Sequence, residues 1–186
     1  MPPRNKLKLY FIRHATPDWS RTDIPYVIPP GPPLTAKGEK EAAALGAFLK
    51  DQGVVKLYHS PFERTARTAQ IAAGVTRIPC LEETRLAEWH SEVESAQQVG
   101  QRMSSMLEEA KTESTQIGPI GLVTHGGPVA VLLKELGLDD EKLTAFKRKF
   151  DHANPLPPAG AWEAEWDETS GSWNLDLKFI PQFDSC

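Results

Sequence analysis

Two histidines, His14 and His125, each stand at the end of a short apolar run, residues 7–12 and 120–124, and are followed by small residues, Ala15 and Gly126-Gly127. If the two runs are neighbouring strands, both imidazoles meet at one edge of a sheet with room for a ligand. Arg13, beside His14, would attract an anion and disfavour the imidazolium, leaving a ring nitrogen free to attack. The competing assignment is a strand-end histidine tied to backbone. A third element is Ser60-Pro61-Phe62-Glu63-Arg64-Thr65-Ala66-Arg67-Thr68-Ala69. Arg64 falls in the first turn of a helix, from which its planar fork can hold two phosphate oxygens at once. Arg67, one turn later, suits a solvated surface arginine.

The elements that must position these groups follow from pattern. Residues 7–12 form a run that is apolar except at Lys8, as a strand buried on both faces requires. The stretch 17–33 holds Pro17, Pro25, Pro29, Pro30, Pro32 and Pro33, so it is neither helix nor central strand. Thr35 is placed to cap a helix with Ala42, Leu45 and Leu49 on one face and Gly53 at its end. Residues 54–58 read as a second strand, and a helix from Pro61 to Gly74 presents Ala66, Ala69 and Ala73 closely to the sheet. A short strand at 78–81, a helix over 92–110, a strand at 120–124 and a helix over 129–136 follow. Residues 162–166 and 173–177, joined by Ser170-Gly171, read as an antiparallel hairpin on the sheet edge. Strands alternating with helices predict a three-layer α/β/α fold with a mostly parallel sheet. Its site lies at the carboxyl ends of the strands, where Arg13, His14 and His125 fall.

Composition excludes several classes. The 186 residues suit one domain, at roughly 150 residues per domain. Fractions of 40% hydrophobic and 25% charged residues are those of a folded globular chain rather than a disordered, collagenous or coiled-coil one. With 21 basic and 25 acidic residues, a net charge of -4 and no basic block, the chain has no electrostatic footprint for nucleic acid. No apolar stretch is long enough to cross a bilayer. Cys80 and Cys186 have no metal-binding or CxxC spacing and read as reduced thiols. Residues 1–8 are short and basic with no cleavage site, so no signal peptide is expected, and the cytoplasm is the expected compartment.

The landmarks Phe11-Ile12-Arg13-His14-Ala15-Thr16, Leu34-Thr35-x-x-Gly38, Ser60-Pro61-x-x-Arg64-x-x-x-Thr68-Ala69, Leu86-x-Glu88 and Val123-Thr124-His125-Gly126-Gly127 occur in order. In this the chain resembles the histidine phosphatase superfamily, also called phosphoglycerate mutase-like, and within it the short-cap phosphatase branch. The resemblance implies a single domain over 1–186 of that fold, with a shortened cap around 89–95. It implies that His14 takes the phosphoryl group, that Arg13, Arg64, His125 and Gly126 cradle it, and that Glu88 protonates the leaving oxygen, kept protonated by the nearby dianion. Glu92 and Glu94 compete for that last role. No metal or cofactor is required. Pro17 and Ser20 stand where the family usually has threonine and asparagine. Thr16 and Ser20 are therefore candidate hydroxyl donors, and Trp19 and Trp89 candidate pocket walls. His59, His90 and His152 are given no role.

Only five residues separate Glu88 from Glu94-Ser95, which leaves little chain for a cap and predicts an open pocket. A mutase must keep water from its phosphohistidine. The reading is therefore a metal-independent phosphatase for small phosphomonoesters or an accessible phosphoprotein group, releasing inorganic phosphate. Phosphoglycerate mutase is the alternative, and a non-catalytic phosphate-binding module the third reading.

Overall fold

Leu9 and Phe11 face one way from strand β1 (Lys8–Arg13) and Tyr10 and Ile12 the other, and all four are buried. A strand covered on both faces needs a layer on each side. The computed structural model, which describes residues 7–182, supplies both. On the Tyr10 and Ile12 face lie α1 (Ala36–Asp51) and α2 (Glu63–Thr76), packed through Leu45, Leu49, Ala69 and Ala72. On the Leu9 and Phe11 face lie α3 (Ala96–Ile117) and α4 (Gly126–Glu135), packed through Met103, Met106 and Leu132 with Trp162.

The sheet between them has six strands in the order β3-β2-β4-β1-β5-β6. Beyond β1 these are β2 (Lys56–His59), β3 (Cys80–Glu82), β4 (Ile120–Thr124), β5 (Ala161–Asp167) and β6 (Ser172–Phe179). β1, β2, β3 and β4 pair in parallel, and β5 and β6 add an antiparallel hairpin beside β1. Because β4 lies between β1 and β2, the carboxyl ends of all three are adjacent. This is the three-layer α/β/α architecture expected.

Local signals account for most boundaries. Thr35 caps α1, its side chain accepting from the Gly38 N–H at 3.0 Å. A Cβ on Gly38 would collide with the Thr16 carbonyl, so glycine lets α1 start against the segment that follows His14. Three expected boundaries are corrected. α2 runs past Gly74 to Thr76, because the left-handed residue that ends it is Arg77 (φ 60°). α3 starts at Ala96 rather than Glu92, since Ser95 and Gln98 form a capping box that fixes its first turn. α4 starts at Gly126, so the two glycines are its first turn and not a preceding loop. An unforeseen helix, α5 (Asp140–Lys149), follows; Leu143 is its one buried residue, too little for an apolar stripe. Cys80 is a free thiol, while Cys186 lies outside the described residues, as do most of residues 1–8. Among the described residues no helix is long and apolar enough to cross a membrane.

Candidate active site

The adjacent ends of β1, β4 and β2 deliver Arg13-His14, His125 and Ser60 to one place, and the first turn of α2 adds Arg64. Residue exposures are 1% for Arg13 and His14 and 0% for Arg64 and His125. The His14 and His125 ring centroids are 5.3 Å apart. Glu88 reaches the same point from the short crossing between β3 and α3.

The backbone sets the tautomer of His14. Its Nδ1 lies 2.8 Å from the Ala15 carbonyl, which can only accept, so Nδ1 carries the proton and Nε2 is an unprotonated lone pair. Thr68 holds that backbone in place, accepting from the Ala15 N–H at 2.9 Å and donating to the Arg64 carbonyl at 2.6 Å. Burial first, then the positive fields of Arg64, His125 and Arg13, push the His14 imidazole well below its usual pKa. A buried, uncharged imidazole with an unprotonated Nε2 is a nucleophile in its reactive form.

Each arginine is held at its tip. Arg64 donates from Nη1 to the Tyr26 carbonyl at 3.1 Å and from Nη2 to Glu88 Oε2 at 3.2 Å, with its guanidinium 4.0 Å from the Tyr26 ring centroid. Arg13 donates to both Asp151 oxygens, at 2.6 and 2.8 Å, and to the Leu156 carbonyl at 3.2 Å. Arg13 Nε, Arg64 Nε and His125 Nδ1 are buried without hydrogen-bond partners. Each such group costs about 1–3 kcal/mol, so a cluster of them is what an anion-binding centre needs.

Glu88 Oε2 is 3.2 Å from His125 Nδ1, near enough for electrostatics but not aligned for a hydrogen bond, while His125 Nε2 lies 2.8 Å from Ser60 Oγ. Burial lowers the His125 pKa against the opposing pull of Glu88. Burial also pushes the Glu88 carboxyl up, but His125, Arg64 and the Trp89 N–H outweigh it and hold it down to about 2. The resting site therefore holds Glu88 ionised, and the proton expected on it depends on a bound dianion that offsets the fields of His125 and Arg64.

Other expected contacts lie elsewhere. The backbone N–H and hydroxyl of Thr16 both donate to Glu41 on α1, at 2.8 and 2.9 Å, and the exposed Ser20 donates to Asp18. Neither hydroxyl is at the site, because a local carboxylate captures each. Trp19 is 45% exposed and stacks on Tyr26 at 4.9 Å, forming a rim. Trp89 lines a cavity of about 230 Å³ with Gly126, Gly127, Lys134, Lys147 and His152. Glu94 pairs with Arg102 on α3, so it does not compete with Glu88; Glu92 lies beside His90. Arg67 pairs with Glu39 on the surface, and His59 is tied to the Ser60 carbonyl.

The crossing at 87–95 is short, yet His14 is only 1% exposed. Two segments cover it: the Pro-rich loop, through Tyr26 and the expected pocket wall Trp19, and the segment after α5, whose His152 meets the Trp19 ring at 4.8 Å. Asn154 packs against Gly126, where a Cβ would collide with it. Tyr26 lay in a proline-rich stretch with no periodicity, and Asp151 meets Arg13 across 138 positions of sequence, so neither gave a local signal.

His14, Glu88 and His125 also present ligand atoms within 4.8 Å of one another, the geometry of a small metal site. Arg64, 3.2 Å from Glu88 Oε2, would compete with a cation for that carboxylate.

A family profile for the histidine phosphatase superfamily (branch 1) matches residues 9–93. A curated relative, "Probable phosphoglycerate mutase GpmB" of Serratia proteamaculans (strain 568), is 32% identical over 91 residues, 45% of this chain but only 39% of that protein. The chain thus matches well under half the length of this relative. Phosphoglycerate mutase from Bacillus anthracis str. Sterne superposes with a TM-score of 0.73 at 16% identity, over 94% of this chain and 93% of the other. A mycobacterial glucosyl-3-phosphoglycerate phosphatase gives 0.72 at 19% identity, over 94% and 98%. These likenesses establish the fold, and the matched region carries His14, Arg64 and Glu88. The chain has a phosphoglycerate mutase-like fold, and over residues 9–93 it is similar to the histidine phosphatase superfamily.

Proposed function

We propose that the protein is a metal-independent phosphatase that hydrolyses phosphomonoesters through a phosphohistidine on His14. The observation that carries this reading is the state of His14: Nδ1 tethered, Nε2 unprotonated, and two buried arginines beside it with unpartnered Nε–H groups. Phosphoryl transfer is chiefly positioning and charge neutralisation, which this arrangement supplies. In the first half-reaction the Nε2 lone pair forms a bond to phosphorus as the bond to the leaving oxygen breaks. That oxygen takes a proton from Glu88. In the second, Glu88 accepts a proton from water as it attacks phosphorus, and the electron pair returns to Nε2.

Hydrolysis over isomerisation is supported by the 87–95 crossing, which adds no secondary-structure element over the site. The burial of His14 favours the second reading, a phosphoglycerate mutase, because a covered phosphohistidine is protected from water. Incubation with p-nitrophenyl phosphate and with 3-phosphoglycerate in EDTA separates them. Phosphate release from the first, exceeding isomerisation of the second, is expected. Faster isomerisation would make the protein a mutase, and activity lost to EDTA would bring a metal into the site.

A further inference from the structure

We propose that Tyr26 is a catalytic residue of this site, its hydroxyl donating to a phosphoryl oxygen as His14 Nε2 bonds to phosphorus. The inference rests on the histidine-nucleophile reading above. Tyr26 Oη lies 3.3 Å from Nε2, while the other ring nitrogen of His14 is taken by the Ala15 carbonyl. The phenol therefore faces the one lone pair that can attack. Among the described residues it is the hydroxyl within hydrogen-bond reach of that atom, those of Thr16 and Ser20 being bound to Glu41 and Asp18.

Tyr26 is fixed by the groups it would work with. Its carbonyl accepts from Arg64, its ring lies against the same guanidinium, and Trp19 stacks on it. Burial raises the phenol's pKa against the opposing field of Arg64, so it is a neutral O–H donor.

In the resting site the phenol makes a long hydrogen bond to a neutral nitrogen. When the Nε2 lone pair forms the N–P bond, that acceptor disappears, and the equatorial oxygens of the phosphoryl group arrive where the hydroxyl points. The phenol keeps its proton and exchanges a neutral acceptor for an anionic one. Charge-assisted hydrogen bonds are shorter and about twice as strong as neutral ones, so the gain falls in the transition state. The proton delivered to the leaving oxygen still comes from Glu88.

Tyr26→Phe removes the hydroxyl but keeps ring, stacking and backbone carbonyl. With p-nitrophenyl phosphate its kcat should fall about 10- to 100-fold with KM within about threefold. Phosphoenzyme formation in a single turnover should slow by the same factor. Orthovanadate, which mimics five-coordinate phosphorus, should bind correspondingly more weakly while inorganic phosphate changes little; equal weakening of both would signal a damaged site and overturn the proposal. So would a Phe variant as fast as the wild type, or faster, since the phenol would then only shield Nε2. If the wild type itself forms no phosphoenzyme, the nucleophile reading fails; if it does and Tyr26→Phe matches it, only the role of Tyr26 is lost.

Discussion

Two guanidinium–carboxylate pairs flank His14, and they are built in opposite ways. Arg13 and Asp151 meet fork to fork at 2.6 and 2.8 Å, with the Leu156 carbonyl as a further acceptor, on a carboxylate whose side chain is 38% exposed. Arg64 and Glu88 share one contact at 3.2 Å, and Glu88, 11% exposed, is also 3.2 Å from His125. The first pair has the geometry of a clamp: bidentate, aligned and backed by backbone. The second is loose and divided between two partners, as a carboxylate that must gain and lose a proton requires. One carboxylate holds its arginine; the other trades on it.

Breaking the loose pair should have the larger effect. Glu88→Gln keeps the shape and removes the proton carrier, so turnover should fall by roughly 10²- to 10⁴-fold with phosphate binding mostly retained. A variant within a factor of a few of wild type would place the acid elsewhere.

Breaking the clamp should act on binding rather than chemistry. Asp151→Asn leaves Arg13 without its counter-charge and its fork free to turn, and KM should rise about tenfold with kcat within about threefold. Asp151→Glu should recover part of the loss. Tighter binding of phosphate by Asp151→Asn would reverse the interpretation and show that Asp151 competes with the substrate for Arg13.

The smallest effect is on acid stability. Glu88 has a folded pKa of about 2 against an ordinary value of 4.5, so its ionised form favours the folded state above about 4.5. As pH falls from there toward 2, the unfolded chain binds the proton that the folded one refuses, and that stabilisation is lost. Urea unfolding of wild type and Glu88→Gln between pH 5 and 3, within that window, should show a shallower decline in the variant. Parallel declines would mean that the pair does not hold Glu88 ionised.

The difference between the pairs also marks how far the chain can be read without its structure. His14 and His125 are legible because each ends an apolar run, and Arg64 because a first-turn helix position at a strand end points back over the sheet. Thr68 and Gly38 belong to recognisable spacings, and the structure explains them: one ties the His14 backbone to α2, and the other lets α1 approach Thr16. The apolar run of β1 and the alternation of strands with helices made the layers readable. Asp151 was invisible, since a surface-type aspartate gives no sign that it will meet an arginine on β1. Tyr26 was hidden by the prolines around it, which suppress any periodicity. Both lie on segments whose conformation is set by tertiary contacts, and these segments, rather than the 87–95 crossing alone, account for the burial of His14.

The central claim is that His14 Nε2 carries the phosphoryl group, and trapping the enzyme in a single turnover tests it most directly. Acid-quenched and alkali-treated samples, digested and mapped by mass spectrometry, should show an acid-labile, alkali-stable phosphate on the peptide bearing His14, absent in His14→Ala, which should not turn over. An acid-stable phosphate on another residue, or full turnover by His14→Ala, would contradict it.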